Sequence, residues 1–127
     1  MAPPPLDDRG LPPGYPLNTE WEVTPREARA MLADPASGAV LIDCRRPDEH
    51  AAARIDGSIL APLQELGARL DELLAHADKT VIVHCHHGRR SMQATQFLRA
   101  NGFENVRSMA GGIDLWSIDI DPGVPRY

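Results

Sequence analysis

Two short apolar runs, Val40-Leu41-Ile42 and Thr80-Val81-Ile82-Val83-His84, limit the folds open to this chain more than anything else in it. Neither alternates apolar with polar residues, so neither suits a strand with one face in water. Such runs fit strands buried on both faces, as in a parallel sheet covered by helices on either side. The intervening segments read as those helices. Thr24-Pro25-Arg26-Glu27 supplies a capping hydroxyl, a proline at the first helical position and an acid three residues after the cap. Pro47-Asp48-Glu49-His50 reads as a second helix start with acids in its first turn. Leu66, Leu70, Leu73 and Leu74 keep a helical period from about residue 63 to residue 77, across Gly67. Residues 91–100 form a helix that Asn101-Gly102 closes, Val106 to Met109 a last strand, and Ile113 to Trp116 the start of a short helix. This alternation predicts an α/β three-layer sandwich with a mostly parallel central sheet flanked by helices.

With 127 residues the chain has room for one core. Six of its 12 prolines (Pro3, Pro4, Pro5, Pro12, Pro13, Pro16) crowd the first sixteen residues, so residues 1–17 read as a Pro-rich N-terminal arm and residues 18–127 as the domain, with ordered structure expected from near Trp21. The arm is a candidate docking segment for a protein partner, or an extension solvated or draped over the surface. Thirteen basic against 18 acidic residues leave a net charge of -5, which offers no positive field to a nucleic-acid backbone. No apolar run approaches the roughly 18 to 20 residues of a membrane span. The first ten residues lack the basic start and apolar core of a secretory signal, so the expected compartment is the cytoplasm. The 2 cysteines, Cys44 and Cys85, are too few for a disulfide-stapled scaffold or a four-cysteine zinc site.

The chemistry concentrates in Cys85-His86-His87-Gly88-Arg89-Arg90-Ser91, between the second apolar strand and the next helix. Parallel α/β sheets place ligands at this end of their strands. A short loop opening a helix aims several backbone N–H groups at one point, and the helix N-terminus adds roughly half a positive charge. A cysteine held there is more acidic than a free thiol, with Arg89 and Arg90 as further counter-charge. Gly88 lets the backbone turn inward, and Ser91 is a helix cap or a hydroxyl donor.

In these residues the chain resembles the rhodanese family of sulfurtransferases. The family's active loop often reads C-x-x-G-x-R-S, which residues 85–91 match at every fixed position. Leu41-Ile42-Asp43-Cys44-Arg45-Arg46-Pro47-Asp48-Glu49-His50 is similar to its signature after an early strand, and Ala110-Gly111-Gly112-Ile113-Asp114-Leu115-Trp116 to its C-terminal glycine turn and tryptophan. The likeness runs from about Asn18 to Val124. It departs at Ala53-Arg54-Ile55-Asp56-Gly57-Ser58, where the family's usual proline and first glycine are missing.

The resemblance implies that Cys85 is the catalytic nucleophile. Its thiolate takes a sulfane sulfur from thiosulfate or another small sulfur-containing anion, holds it as a persulfide and passes it to cyanide, a thiol or a protein. His86, His87, Gly88, Arg89, Arg90 and Ser91 would bind the substrate, and no metal or cofactor is implied. A persulfide carrier loaded by a partner and a non-catalytic regulatory module are the alternatives. Phosphate-ester hydrolysis on a related fold needs an arginine six positions after the cysteine; here Ser91 stands at six and Arg90 at five. The loop also lacks a glycine directly after the cysteine, which favours thiosulfate or a protein persulfide over mercaptopyruvate.

Outside the loop, Cys44 reads as core packing, with a resolving thiol for Cys85 as the contrary reading. Asp43 and Arg45 either reach towards the loop or pair internally. His84 to His87 cannot converge on one ion, because successive residues of a strand point to opposite sides. His86 and His87 line the pocket mouth and add positive charge below neutral pH. Asp119, Asp121 and the tail from Pro122 to Tyr127 are expected to be solvated.

Overall fold

The computed structural model describes residues 5–127; residues 1–4, with Pro3 and Pro4 of the arm, lie outside the described residues. Five strands, β1 (Glu22–Val23), β2 (Val40–Asp43), β3 (Ile59–Leu60), β4 (Thr80–His84) and β5 (Asn105–Met109), form one sheet in the order β1-β5-β4-β2-β3. Every neighbouring pair is parallel. Helices α1 (Pro25–Ala33), α2 (Pro47–Ala52), α3 (Leu70–Leu73), α4 (Arg89–Ala100) and α5 (Gly112–Asp119) complete the α/β sandwich.

The two apolar runs become β2 and β4 at the middle of the sheet. Their side chains alternate between two cores. Ile42, Cys44, Val81, Val83 and Cys85 face Leu73, Ala94 and Leu98 of α3 and α4. Leu41 and Ile82 face Ala28, Ile113 and Trp116 of α1 and α5. With both faces covered, Leu41, Ile42, Val81, Ile82 and Val83 each meet an apolar neighbour, which explains the unbroken runs. The predicted cap of α1 closes as a reciprocal pair: Glu27 N–H donates to Thr24 Oγ1 at 3.1 Å and Thr24 N–H to Glu27 Oε1 at 2.9 Å.

Several expectations need correction. The helix expected over residues 63–77 is broken into a 3-10 turn (Leu63–Glu65), the single turn of α3 and another 3-10 turn (Leu74–His76). Gly67 disfavours a continuous helix by about 1 kcal/mol relative to alanine, and separate turns still bury Leu66 and Leu73. Strand β1 is two residues long at a sheet edge, too short to leave a periodic pattern. Order begins before Trp21: Leu11 has no exposed surface and packs on Ala110 and Leu115, with Leu6, Tyr15 and Leu17 around it. The tail is not wholly solvated. Asp119 pairs with Arg26 at 2.8 Å, Val124 is buried, and the Tyr127 hydroxyl bonds to Arg45 and Glu49. No helix among the described residues is long and apolar enough to cross a membrane.

Candidate active site

Beyond β4 the sheet continues to β5, and beyond β2 to β3, so the carboxyl ends of β2 and β4 meet where the strand order diverges. This is the ligand-binding crevice of an open parallel sheet. Asp43 and His84 are register partners, and the Cys44 N–H donates to the His84 carbonyl at 3.0 Å. The pairing therefore extends one step beyond the strands and sets Cys44 beside Cys85, both on the α4 face.

Gly88 turns the loop back. Its φ of 111° lies where glycine alone is unstrained, and its N–H points at Cys85 Sγ from 3.0 Å. Gly88 is also the residue that precedes α4, so Ser91 is not the cap but stands in the first turn. The Ser91 hydroxyl lies 3.4 Å from Cys85 Sγ and 2.7 Å from Ser108 Oγ on β5. Towards a thiolate, Ser91 donates to sulfur and accepts from Ser108. From the other side, α5 clasps the loop: Ile113 N–H donates to the Cys85 carbonyl at 2.9 Å and Asp114 N–H to the His86 carbonyl at 3.1 Å. A Cβ at Gly112 would stand 2.6 Å from the Cys85 carbonyl oxygen, so the glycine pair is needed for close approach.

These donors decide the state of the sulfur. The hydrogen bond from the Cys44 thiol, opposed by burial and joined by bonds from Ser91 and Gly88, brings the Cys85 pKa down to about 4. The same bond, with burial, pushes the Cys44 thiol far above the ordinary range. Cys85 is thus a buried thiolate at neutral pH and Cys44 its proton-bearing neighbour.

The charged residues next to the loop form ion pairs of their own. Arg90 binds Glu49 through both nitrogens, at 2.5 and 2.9 Å, which holds the Glu49 carboxyl well below the usual range. Tyr127 donates to the same carboxylate at 2.7 Å and accepts from Arg45 at 2.9 Å. Arg45 grips Asp43 at 2.9 and 2.8 Å, with neither side chain exposed, so this is an internal ion pair that fixes the end of β2. His50 Nδ1 adds a 2.7 Å contact to Asp43. His86 stacks on Tyr127 at 4.0 Å and on His87 at 3.9 Å. Burial, followed by His87, lowers the His86 pKa, so the charge expected of it below neutral pH is disfavoured. His87 and Arg89 are exposed at the loop's rim.

A cavity of about 130 Å³ reaches Cys44, Arg45, Arg46, Pro62, Leu63 and Arg90. A larger one, about 450 Å³, lies between Arg54, Trp116 and Asp121 and includes no residue of the loop. Among the described residues no group of three or more His, Cys, Asp and Glu could hold a metal ion. The sequence pointed to the loop, but gave Glu49 only as an acid in the first turn of a helix and gave Ser108 and Tyr127 no role at the site. Neither carried a signal: Ser108 stands among polar residues in the short strand Asn105–Met109, and Tyr127 in the tail.

A family model described as "Rhodanese-like domain" matches residues 24–119. Among curated proteins, the chain is 32% identical over 110 residues to rhodanese-like/PpiC domain-containing protein 12, chloroplastic, of Arabidopsis thaliana, covering 84% of this chain and 37% of that protein. It is 34% identical over 94 residues to thiosulfate sulfurtransferase GlpE of Pseudomonas entomophila, covering 74% of this chain and 82% of the relative. The human single-domain sulfurtransferase TSTD1 superposes with a TM-score of 0.65 at 28% identity, covering 75% of this chain and 93% of that one. The chain spans between 26% and 37% of the length of the longer curated relatives that it matches.

Proposed function

The chain belongs to the rhodanese-like domain family, and from that membership we propose that it is a sulfurtransferase whose sulfur is carried on Cys85, with thiosulfate as donor. The observation that supports this most is the Cys85 sulfur itself, met by the Gly88 N–H at 3.0 Å and the Ser91 hydroxyl at 3.4 Å, with its pKa brought down to about 4.

In the first half-reaction the Cys85 thiolate attacks the outer sulfur of thiosulfate. The S–S bond of the donor breaks, sulfite leaves with the electron pair, and Cys85 holds an anionic persulfide. In the second, an acceptor nucleophile attacks the outer persulfide sulfur and Cys85 leaves as thiolate. Cyanide, a thiol or a protein cysteine fits as acceptor. The loop N–H groups and the α4 N-terminus suit both anions. Arg90, engaged with Glu49, acts here by holding α4 to α2, while exposed Arg89 is the cation at the rim that meets an incoming oxyanion.

Intact-mass spectrometry of the reduced protein before and after thiosulfate tests the proposal, with Cys85→Ser alongside. One sulfur gained by the wild type, removed by cyanide and absent from the variant, is the expected result. No gain in a protein whose Cys85 still reacts with iodoacetamide would remove thiosulfate as donor.

A further inference from the structure

Cys44 enters sulfur transfer only as a hydrogen-bond donor, yet its position allows more. Neighbouring strands lie about 4.7 to 4.9 Å apart, and disulfide-linked cysteines have Cα atoms about 4.4 to 6.8 Å apart. The continued β2–β4 pairing puts Cys44 one strand spacing from Cys85, with both side chains turned to the same core. Both are free thiols, each about 1% exposed. Each stands just past the end of its strand, where the following loop can absorb a small rotation.

We propose that Cys44 and Cys85 are a reversible two-electron couple in which a small hydroperoxide oxidises Cys85 and Cys44 resolves it to an intramolecular disulfide. The Cys85 thiolate attacks a peroxide oxygen; the O–O bond breaks, hydroxide leaves and takes a proton from solvent, and Cys85 becomes a sulfenic acid. The Cys44 sulfur then attacks the Cys85 sulfur, an S–S bond replaces the S–O bond, and the hydroxyl departs as water with the Cys44 proton. Two electrons pass from the sulfurs to the peroxide, and a dithiol reductant returns them by thiol–disulfide exchange. The order of events follows from charge. While Cys85 is anionic it holds the Cys44 proton in their hydrogen bond; a neutral sulfenic acid releases that hold, and the proton can leave with the departing hydroxyl as the Cys44 sulfur attacks. The disulfide suspends sulfur transfer and keeps Cys85 from the sulfinic and sulfonic states that thiols do not reverse.

This inference rests on Cys85 as the reactive thiolate of the proposed function. Reduced wild type and Cys44→Ser are each exposed to an excess of hydrogen peroxide, then analysed by intact mass and by a tryptic map without reductant; Cys44→Ala replaces the serine variant if that does not fold. The expected wild-type product lacks two hydrogens, joins the peptide of residues 30–45 to that of residues 80–89, and regains thiosulfate-dependent sulfur uptake after dithiothreitol. The variant instead accumulates oxygens on residues 80–89. Wild type that gains two or three oxygens on Cys85 without the cross-link, or that cross-links only between molecules, overturns the couple. So does wild type that peroxide leaves unchanged; iodoacetamide labelling of Cys85 at neutral pH then shows that the thiolate survives the failure. Cross-linking in a protein that never takes sulfur from thiosulfate supports the couple and removes the donor alone.

Discussion

At the scale of single residues, the acidity of Cys85 comes from neutral donors at contact range. A free cysteine titrates near 8.5, and burial alone would raise that value. Here the Cys44 thiol is the largest lowering influence, and burial opposes it. Alkylation of Cys85 by iodoacetamide should therefore be nearly flat above pH 5 and fall as the pH drops through about 4, since protonation removes the nucleophile. Cys44→Ala deletes one hydrogen bond to a charged group, a loss of about 1.5 to 3 kcal/mol, and should move that midpoint up by roughly one to two units. Cys44→Ser keeps a donor and should fall between the two. A pH–rate profile checks all three, and an unmoved midpoint in Cys44→Ala would assign the acidity to the loop alone.

At the scale of elements, a few long-range contacts hold the loop's surroundings in register. Glu49 of α2 binds Arg90 of α4 and accepts from Tyr127 of the tail, so one carboxylate joins three segments distant in sequence. Its pKa is depressed by Arg90 first, then favoured further by Tyr127, against burial. A carboxyl lowered on folding stabilises the fold fully above its unfolded pKa, about 4.3, and less as the pH falls towards the folded value. Glu49→Gln should cost about 1.5 to 3 kcal/mol at pH 7 and less at pH 3, where the unfolded carboxyl is already largely protonated while the folded one stays charged. Urea melts at the two pH values measure this, and an equal loss at both would show that shape, not charge, carries the contact. The broken helix over residues 63–77 belongs to the same scale. Its leucine spacing was legible, but Gly67 and the path over the sheet left only separate turns.

At the scale of the molecule, the described part of the arm is draped over the domain. Leu11 seals a small third core against Ala110 and Leu115, directly before and within the segment whose glycine pair lets α5 clasp the Cys85 loop. Leu11→Ala should lower stability by about 2 kcal/mol, the lower end for a buried leucine, and speed tryptic cleavage after exposed Arg9. The pH midpoint of Cys85 should not move, because none of its donors lies on the arm. Unchanged melting and unchanged cleavage would mean that Leu11 does not anchor the arm.

Local pattern was enough for whatever depends on neighbours along the chain. Unbroken apolar runs marked β2 and β4, Thr24 to Glu27 marked a helix start, and residues 85–91 marked the loop, because burial, capping and loop curvature each write on adjacent residues. Contacts between segments leave no such mark. The pairing of Cys44 with Cys85, the backing of Ser91 by Ser108, the capture of Arg90 by Glu49 and the seat of Tyr127 on His86 arise only when parallel strands bring their ends together. The residues thus singled out the sulfur on which the proposed function rests, and the tertiary structure decided what surrounds it: a neighbouring thiol, serine hydroxyls, and an arginine whose charge is already matched.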